Sequence, residues 1–181
     1  MNDIVKRLTI LTISESRSPD KSLGECYMGK VEEKIKEMGY EIPECPAPAG
    51  AYAPAVETKD GLLFVSGQTA IVDGKQKYVG RVGAEVSVEE AYDAAKICAL
   101  RLLAQVKYVI GDLDRVERIV KVNGYVNAVP GFGQQPKVIN GTSEFLEAVF
   151  GEKGKHARAA IGVGSLPDNA PVEVEMILAY K

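Results

Sequence analysis

The stretch HARAAIGVGSLPDNAPVEVEMILAYK, residues 156–181, decides the fold. Two extended apolar runs flank the turn-forming residues Pro167, Asp168 and Asn169, so the stretch predicts a closing β-hairpin. The second run alternates and gives one strand face an apolar row: Val172, Val174, Met176 and Leu178. The other face of the predicted sheet is small and partly polar, which suits packing against another subunit better than exposure to water. We therefore expect a closed homo-oligomer.

Arg158 begins the first strand of this hairpin, on the face that carries small residues. A guanidinium is a planar fork that grips a carboxylate with two parallel hydrogen bonds, so Arg158 is a candidate anion receptor. A salt bridge at a subunit contact explains it equally well. Glu173 is the candidate partner, but a turn at Asp168 and Asn169 places it opposite Gly164. The six intervening positions span about 20 Å, so the two side chains could share a small ligand only if they come from different subunits.

The chain upstream alternates between strand-like and helix-like patterns. Lys59–Gly61 is a hairpin turn between two apolar runs. Ser87 opens a helix with a capping box, and that helix stops at Gly111. After a strand-like run, a shorter helix extends from about Pro136 to Gly151. The order predicts an α+β two-layer sandwich, with two main helices against one mixed or antiparallel sheet.

Residues 1–28 do not share these patterns. They contain the polar run ISESRSPDKSLGECY, which has no sustained period, so we expect a mobile tail before a single domain at residues 29–181. Two interpretations of the tail stay open. It is either a real extension from Met1 or a translated leader before a start at Met28, because Gly24 and Glu25 can be encoded by a purine-rich ribosome-binding sequence.

Composition narrows the class of protein. The chain has 181 residues, 46% of them hydrophobic and 26% charged, and a net charge of −3, which gives no electrostatic reason to expect a nucleic-acid partner. No apolar run is long enough to span a membrane. Three cysteines, Cys26, Cys45 and Cys98, form no close pair, which fits a reducing cytoplasm. The single histidine, His156, excludes a multi-histidine metal site and is interpreted as a loop or capping residue. We expect no metal and no organic cofactor.

Over about residues 29–181 the chain resembles the YjgF/RidA family of reactive intermediate deaminases. The stretches that carry the resemblance are AGAYAPAV, LLFVSGQTAI, GRVGAEVSVEEAYDAAKICALRLLAQV, GDLDRVERIVKVNGYVNAV, QPKVINGTSEFLEAVFG and HARAAIGVGSLPDNAPVEVEMI. The likeness is greatest to the endoribonuclease-like branch, whose signature here is INGTSEFLEAVFGEKGKHAR. The resemblance implies a chorismate-mutase-like fold, a homotrimer with clefts between subunits, and metal-independent hydrolysis of 2-imino acids and enamines to 2-oxo acids and ammonia.

The resemblance also implies the site residues. The catalytic arginine and acid fall on Arg158 and Glu173, and the substrate-binding positions are Tyr52, Ser66, Gly67, Asn140 and Ala160. The better-studied branch has a cysteine where this chain has Ala160, which matters if the thiol takes part in the reaction. A competing hypothesis is a non-catalytic trimer that binds small carboxylates as a sensor or as a partner-docking module. RNA cleavage is a third.

Overall fold

The computed structural model describes residues 29–45 and 50–181, so the expectation for residues 1–28 lies outside the described residues. Three α-helices are present in the described part: α1 (Lys30–Glu37), α2 (Val88–Ile110) and α3 (Gln135–Phe150). Seven strands accompany them: β1 (Ala55–Glu57), β2 (Leu62–Thr69), β3 (Ile71–Val72), β4 (Lys75–Gln76), β5 (Val116–Asn127), β6 (Ala157–Val163) and β7 (Val172–Tyr180). None of these helices is both long and apolar enough to cross a membrane.

Five strands form one mixed sheet in the order β1-β2-β7-β5-β6, and β3 and β4 form a separate hairpin. All neighbours in the large sheet are antiparallel except β5 and β6, which are parallel. The prediction of a closing β6–β7 hairpin is therefore wrong, because β5 lies between these strands. Residues 164–171 cross the end of β5, and Asp168 and Asn169 take positive φ angles of 52° and 54° in this connection. The α+β prediction is confirmed.

Helices α2 and α3 cover one face of the sheet. The capping box of α2 is as predicted: Glu90 N donates to Ser87 Oγ (3.1 Å), and Ser87 N donates to Glu90 Oε2 (2.8 Å). Gly141 lets the helices touch, because a Cβ there would overlap the backbone oxygen of Tyr92. Thr142 Oγ1 then donates to Ala95 O (2.6 Å), which fixes α3 against α2.

The other face of the sheet is not covered by the described helices. Val172, Val174, Met176 and Leu178 of β7 are buried under the helices, so the alternate residues of β7 project to the uncovered side. Cross-strand neighbours place Phe64 and Ile161 on this side too, and they are 45% and 50% exposed. This face is therefore partly apolar and partly polar, as the sequence predicts, but Phe64 and Ile161 are larger than the small residues expected there.

Candidate functional site

A cleft of about 610 Å³ lies beside the start of β7, within the range of about 300–1,000 Å³ usual for small-molecule sites. Four of the predicted site residues line it together: Tyr52, Ser66, Gly67 and Glu173. They come from the segment before β1, from β2 and from β7, so the sheet itself brings them together.

A β-bulge in β2 shapes the floor of the cleft. Val65 and Gln68 are three positions apart in β2, but the two β7 residues with which they pair are only two positions apart. The extra residue disrupts the pairing between them, so Ser66 and Gly67 form the bulge. The absence of a side chain at Gly67 is required, because a Cβ at this position would overlap Oε1 of Glu173. The bulge therefore seats the Glu173 carboxylate directly against the backbone of β2.

Side chains hold the bulge in place from two directions. Ser66 Oγ donates to Ala53 O (2.7 Å), and Ser66 N donates to Pro54 O (3.0 Å). From α2, the Gln105 amide donates to the carbonyl oxygens of Pro54 and Ser66 (3.1 Å each) and accepts from Gln68 Nε2 (2.7 Å), with its oxygen and nitrogen placed to satisfy both. The position of Ser66 and Gly67 is thus tied to α2 as well as to the segment before β1.

The electrostatics of the cleft distinguish its two glutamates. Glu175 Oε1 accepts hydrogen bonds from Asn123 Nδ2 (2.9 Å) and Tyr125 OH (2.8 Å). Glu173 is half-buried, and its carboxylate accepts no hydrogen bond from any residue that the structure describes. Burial raises the pKa of Glu173, and the negative charge of Glu175 raises it further. Of the two glutamates, Glu173 is therefore the one suited to exchanging a proton with a bound molecule.

Two further cleft residues, Arg101 and Gln105, come from α2 and were not predicted. The available signal was a charged residue within the apolar run ICALRLLAQV. Arg101 lies one helical turn after Cys98 and so shares its face of the helix, which is the buried one.

Arg158 lies elsewhere, on the helix side of the sheet. It is in register with Val122 of β5, whose side chain is fully buried, and registered neighbours project to the same side. The expectation that Arg158 shares the uncovered face is wrong, because β6 pairs in parallel with β5 rather than with β7. Its Nη1 donates to Asn140 Oδ1 (2.8 Å) and to Ser143 Oγ (3.1 Å), both on α3. The predicted pair Arg158 and Asn140 is thus brought together, and Ala160 follows two residues later on the same side of β6.

A chain of hydrogen bonds continues behind Arg158. His156 Nδ1 lies 2.6 Å from Gly154 O, and its Nε2 lies 3.0 Å from Ser143 Oγ. Because a carbonyl oxygen can only accept, Nδ1 carries the proton and Nε2 accepts from the Ser143 hydroxyl. Burial lowers the pKa of His156, and the Arg158 charge adds to this effect, so the ring is neutral in this network. Ser143, which was not predicted, lies three positions after Asn140 and so shares its helix face.

Within one chain, Arg158 and Glu173 do not meet. Glu173 is in register with Tyr125, and Tyr125 with Ile161, three positions from Arg158. The two Cα atoms are three positions apart along the strands and two strands apart across the sheet, a distance of about 14 Å. This is less than the distance of about 20 Å expected from a hairpin. Val122 and Tyr125 are an odd number of positions apart in β5, so the side chains of their registered neighbours, Arg158 and Glu173, project from opposite faces of the sheet.

Another acidic group lies at the start of α1. Oxygens of Glu32, Asp112 and Asp114 are within 4.8 Å of one another. Asp114 accepts from Lys30 N (3.0 Å) and from the next backbone nitrogen (2.9 Å), and Lys107 Nζ lies 3.4 Å from Glu32 Oε1. These contacts anchor α1, and none of the three acids lines the Glu173 cleft.

Comparison with known proteins agrees with this architecture. Residues 32–179 match the family model described as "YjgF/chorismate mutase-like, putative endoribonuclease". The chain is 41% identical over 151 residues to protein TCP17 of Trypanosoma cruzi, covering 83% of this chain and 94% of that protein.

Two solved structures extend the comparison. A protein of unknown function from Agrobacterium tumefaciens, Atu1372, is 43% identical, with a TM-score of 0.76 over 83% of this chain and 91% of that one. A Shewanella oneidensis protein described as a "putative endoribonuclease" is 32% identical, with a TM-score of 0.79 over 82% of this chain and 98% of that one. By the family model, the sequence relatives and the shared fold, this chain belongs to the YjgF/RidA family.

Proposed function

We propose that this protein hydrolyses 2-imino acids and their enamine tautomers to 2-oxo acids and ammonia, in clefts between the subunits of a homotrimer. The observation that carries the proposal is the Glu173 carboxylate. It is half-buried in a cleft of small-molecule size, its pKa is raised, and no described residue donates a hydrogen bond to it. A carboxylate in such a setting is suited to accept a proton from water and to release it again.

The reaction needs a positioned water, a proton carrier and a hold on the substrate. Water adds to C2 of the imine, a C–O bond forms, and the electron pair of the C=N π bond moves to nitrogen. The C–N bond of the resulting carbinolamine then breaks and ammonia leaves. Glu173 would carry a proton from the attacking water to the imine nitrogen as the carbinolamine forms. It would then carry the proton of the carbinolamine hydroxyl to the same nitrogen as the C=O bond forms and the C–N bond breaks, so both protons leave on ammonia and Glu173 ends each turnover as it began.

Arg158 of a neighbouring subunit would hold the substrate carboxylate. The residues that the structure describes offer Arg158 no carboxylate partner. Its Nη1 is fixed by Asn140 and Ser143, which leaves the other guanidinium donors for a bidentate contact. The separation of about 14 Å from Glu173 of the same chain supports a site shared between subunits. The apolar residues on the uncovered face, Phe64 and Ile161, support assembly through that face.

Ala160 has a limited role in this proposal. Its backbone, two residues after Arg158 in β6, would orient the substrate or water, and no side-chain chemistry is required of it. The reaction then proceeds without the cysteine of the better-studied branch.

The direct test follows the decay of 2-iminobutyrate, generated in situ by a threonine dehydratase, at neutral pH. We expect the protein to accelerate hydrolysis and Glu173→Gln to lower kcat/KM by about 100-fold or more. Arg81→Lys is the matched control, because Arg81 is half-exposed and, among the described residues, forms an ion pair only with nearby Glu85. No acceleration over solvent by a correctly assembled protein would favour the carboxylate-binding hypothesis. RNA cleavage that survives stringent repurification would favour the ribonuclease hypothesis.

A mixing experiment tests the shared cleft. Arg158→Lys and Glu173→Gln each remove one half of the proposed site. If the halves come from different subunits, equal amounts of the two variants, unfolded and reassembled together, would restore about a quarter of the clefts. If both halves act within one chain, mixing restores nothing above the sum of the two variants.

A further inference from the structure

Arg101 is a buried cation in the wall of the Glu173 cleft. It projects from α2 and is 9% exposed. Its Nη1 donates to Ile71 O at 3.3 Å, and its Nε is buried without a hydrogen-bond partner. The donors along the edge formed by Nε and Nη2 therefore have no acceptor among the residues that the structure describes.

No carboxylate in the described part of the chain forms an ion pair with Arg101. Burial lowers the pKa of Arg101, as expected of a cation without a counter-ion. Buried charges are normally paired, because removing a guanidinium from water is unfavourable unless its donors are satisfied. One long hydrogen bond to Ile71 O is a weak structural reason to place an arginine in this apolar run. An anionic ligand in the cleft accounts for it better.

The charges around the cleft indicate which anion. Its wall carries three carboxylates, Asp168, Glu173 and Glu175, and Arg101 is the sole cation among its described lining residues. In the proposed mechanism the α-carboxylate of the substrate is held by Arg158 of the neighbouring subunit. A second carboxylate reaching into this acidic wall would be repelled unless Arg101 received it. The cleft of about 610 Å³ also has more room than a four-carbon imino acid fills.

We infer that Arg101 binds a side-chain carboxylate of the substrate, so that the preferred substrates are 2-imino dicarboxylic acids. This inference rests on the proposed function and specifies its substrate class. The planar edge of Nε and Nη2 matches the two oxygens of a carboxylate.

The kinetic test compares 2-iminoglutarate, generated from L-glutamate by an amino-acid oxidase, with 2-iminobutyrate, generated likewise from 2-aminobutyrate. We expect wild-type kcat/KM to favour the dicarboxylate by about tenfold or more, the effect of a charge-assisted contact. Arg101→Met should remove this preference, and Arg101→Lys should restore part of it, because an ammonium keeps the charge but not the fork. An unchanged ratio in Arg101→Met overturns the inference.

Binding of the products separates failure of this inference from failure of the proposed function. Calorimetry with 2-oxoglutarate and 2-oxobutyrate needs no turnover. Tighter binding of 2-oxoglutarate by the wild type, lost in Arg101→Met, supports the inference even if no imine is hydrolysed. Imine hydrolysis with equal affinity for both products by the wild type overturns the inference and leaves the proposed function standing. Equal affinity in this wild-type comparison overturns the inference even if Arg101→Met does not fold.

Discussion

Gly67→Ala is expected to damage activity far more than folding. A Cβ at Gly67 would overlap Glu173 Oε1 and would lie 3.2 Å from the carboxylate carbon of Glu173. Gly67 does not have a positive φ, so alanine introduces no backbone strain. The overlapping atom is the far end of a side chain that can rotate away. The substitution therefore moves the proposed proton carrier and little else.

The two effects have different magnitudes. Overpacking costs about 1–3 kcal/mol, with the low end expected for a mobile carboxylate, and the loss of glycine freedom in the unfolded chain offsets about 0.4–1 kcal/mol. The net loss of unfolding free energy should stay below about 2 kcal/mol. The carboxylate oxygen must shift by about 1 Å to reach van der Waals contact, and a displacement of that size at a reacting group can lower kcat/KM by about 100-fold.

The assay pairs 2-iminobutyrate hydrolysis with thermal unfolding. Gly164→Ala is the matched control, because nothing lies within 4 Å of its Cβ position and its φ is not positive. The control should keep wild-type activity and stability. If Gly67→Ala retains kcat/KM within about threefold of the wild type, the position of Glu173 on the bulge does not govern the reaction and the reasoning fails.

Three further predictions concern charge and pH. Arg158→Lys should lower kcat/KM by about 10- to 150-fold with assembly intact, because an ammonium cannot make the bidentate contact; loss of assembly in size-exclusion chromatography would instead make Arg158 structural. Glu175→Gln should lower the pKa of Glu173, since Glu175 helps to raise it. Activity that needs the ionised Glu173 carboxylate disappears as the pH falls through the pKa of Glu173. The acid limb of the kcat/KM profile should therefore move to lower pH in Glu175→Gln. A limb that does not move would contradict the role of Glu173 as proton carrier. Burial lowers the pKa of His156 from 6.5 in the folded protein, so at pH values below 6.5 the unfolded chain binds a proton at His156 more readily than the folded one. The stability of the wild type should therefore decline as the pH falls below about 6.5. His156→Gln should show a smaller loss of melting temperature between pH 7.5 and pH 5.5, and an equal loss would assign the decline to other groups.

Local signals in the sequence predicted the helices well. The Ser87 capping box opens α2, Gly111 ends it with a φ of 83°, and α3 ends at Gly151 as expected. The turn at Lys59–Gly61 and the β1–β2 hairpin around it are also where the sequence indicates. These features depend on contacts between residues close in the chain, so a single sequence contains the information for them.

Strand neighbours were not predictable in the same way. Alternation in β7 identifies its buried face but does not say which strands lie beside it, and the insertion of β5 between β6 and β7 followed from no local pattern. The error changed the predicted face of Arg158. The contribution of Arg101 to the cleft was also missed, because helical periodicity alone does not show that a long polar side chain on a buried helix face extends to the Ile71 carbonyl and into a cleft.

The position of β7 in the sheet has a consequence for biosynthesis. β7 follows every other described strand in the chain, yet it is the central strand and joins β1-β2 to β5-β6. Leu62 pairs with Ala179, so this junction waits for residues made more than a hundred positions later. On the ribosome the earlier strands must persist as two separate edges until β7 emerges and inserts between them. Because Glu173 is on β7, the cleft is completed in that same late step, and a nascent chain that stalls before residue 172 exposes two open sheet edges for chaperones to protect.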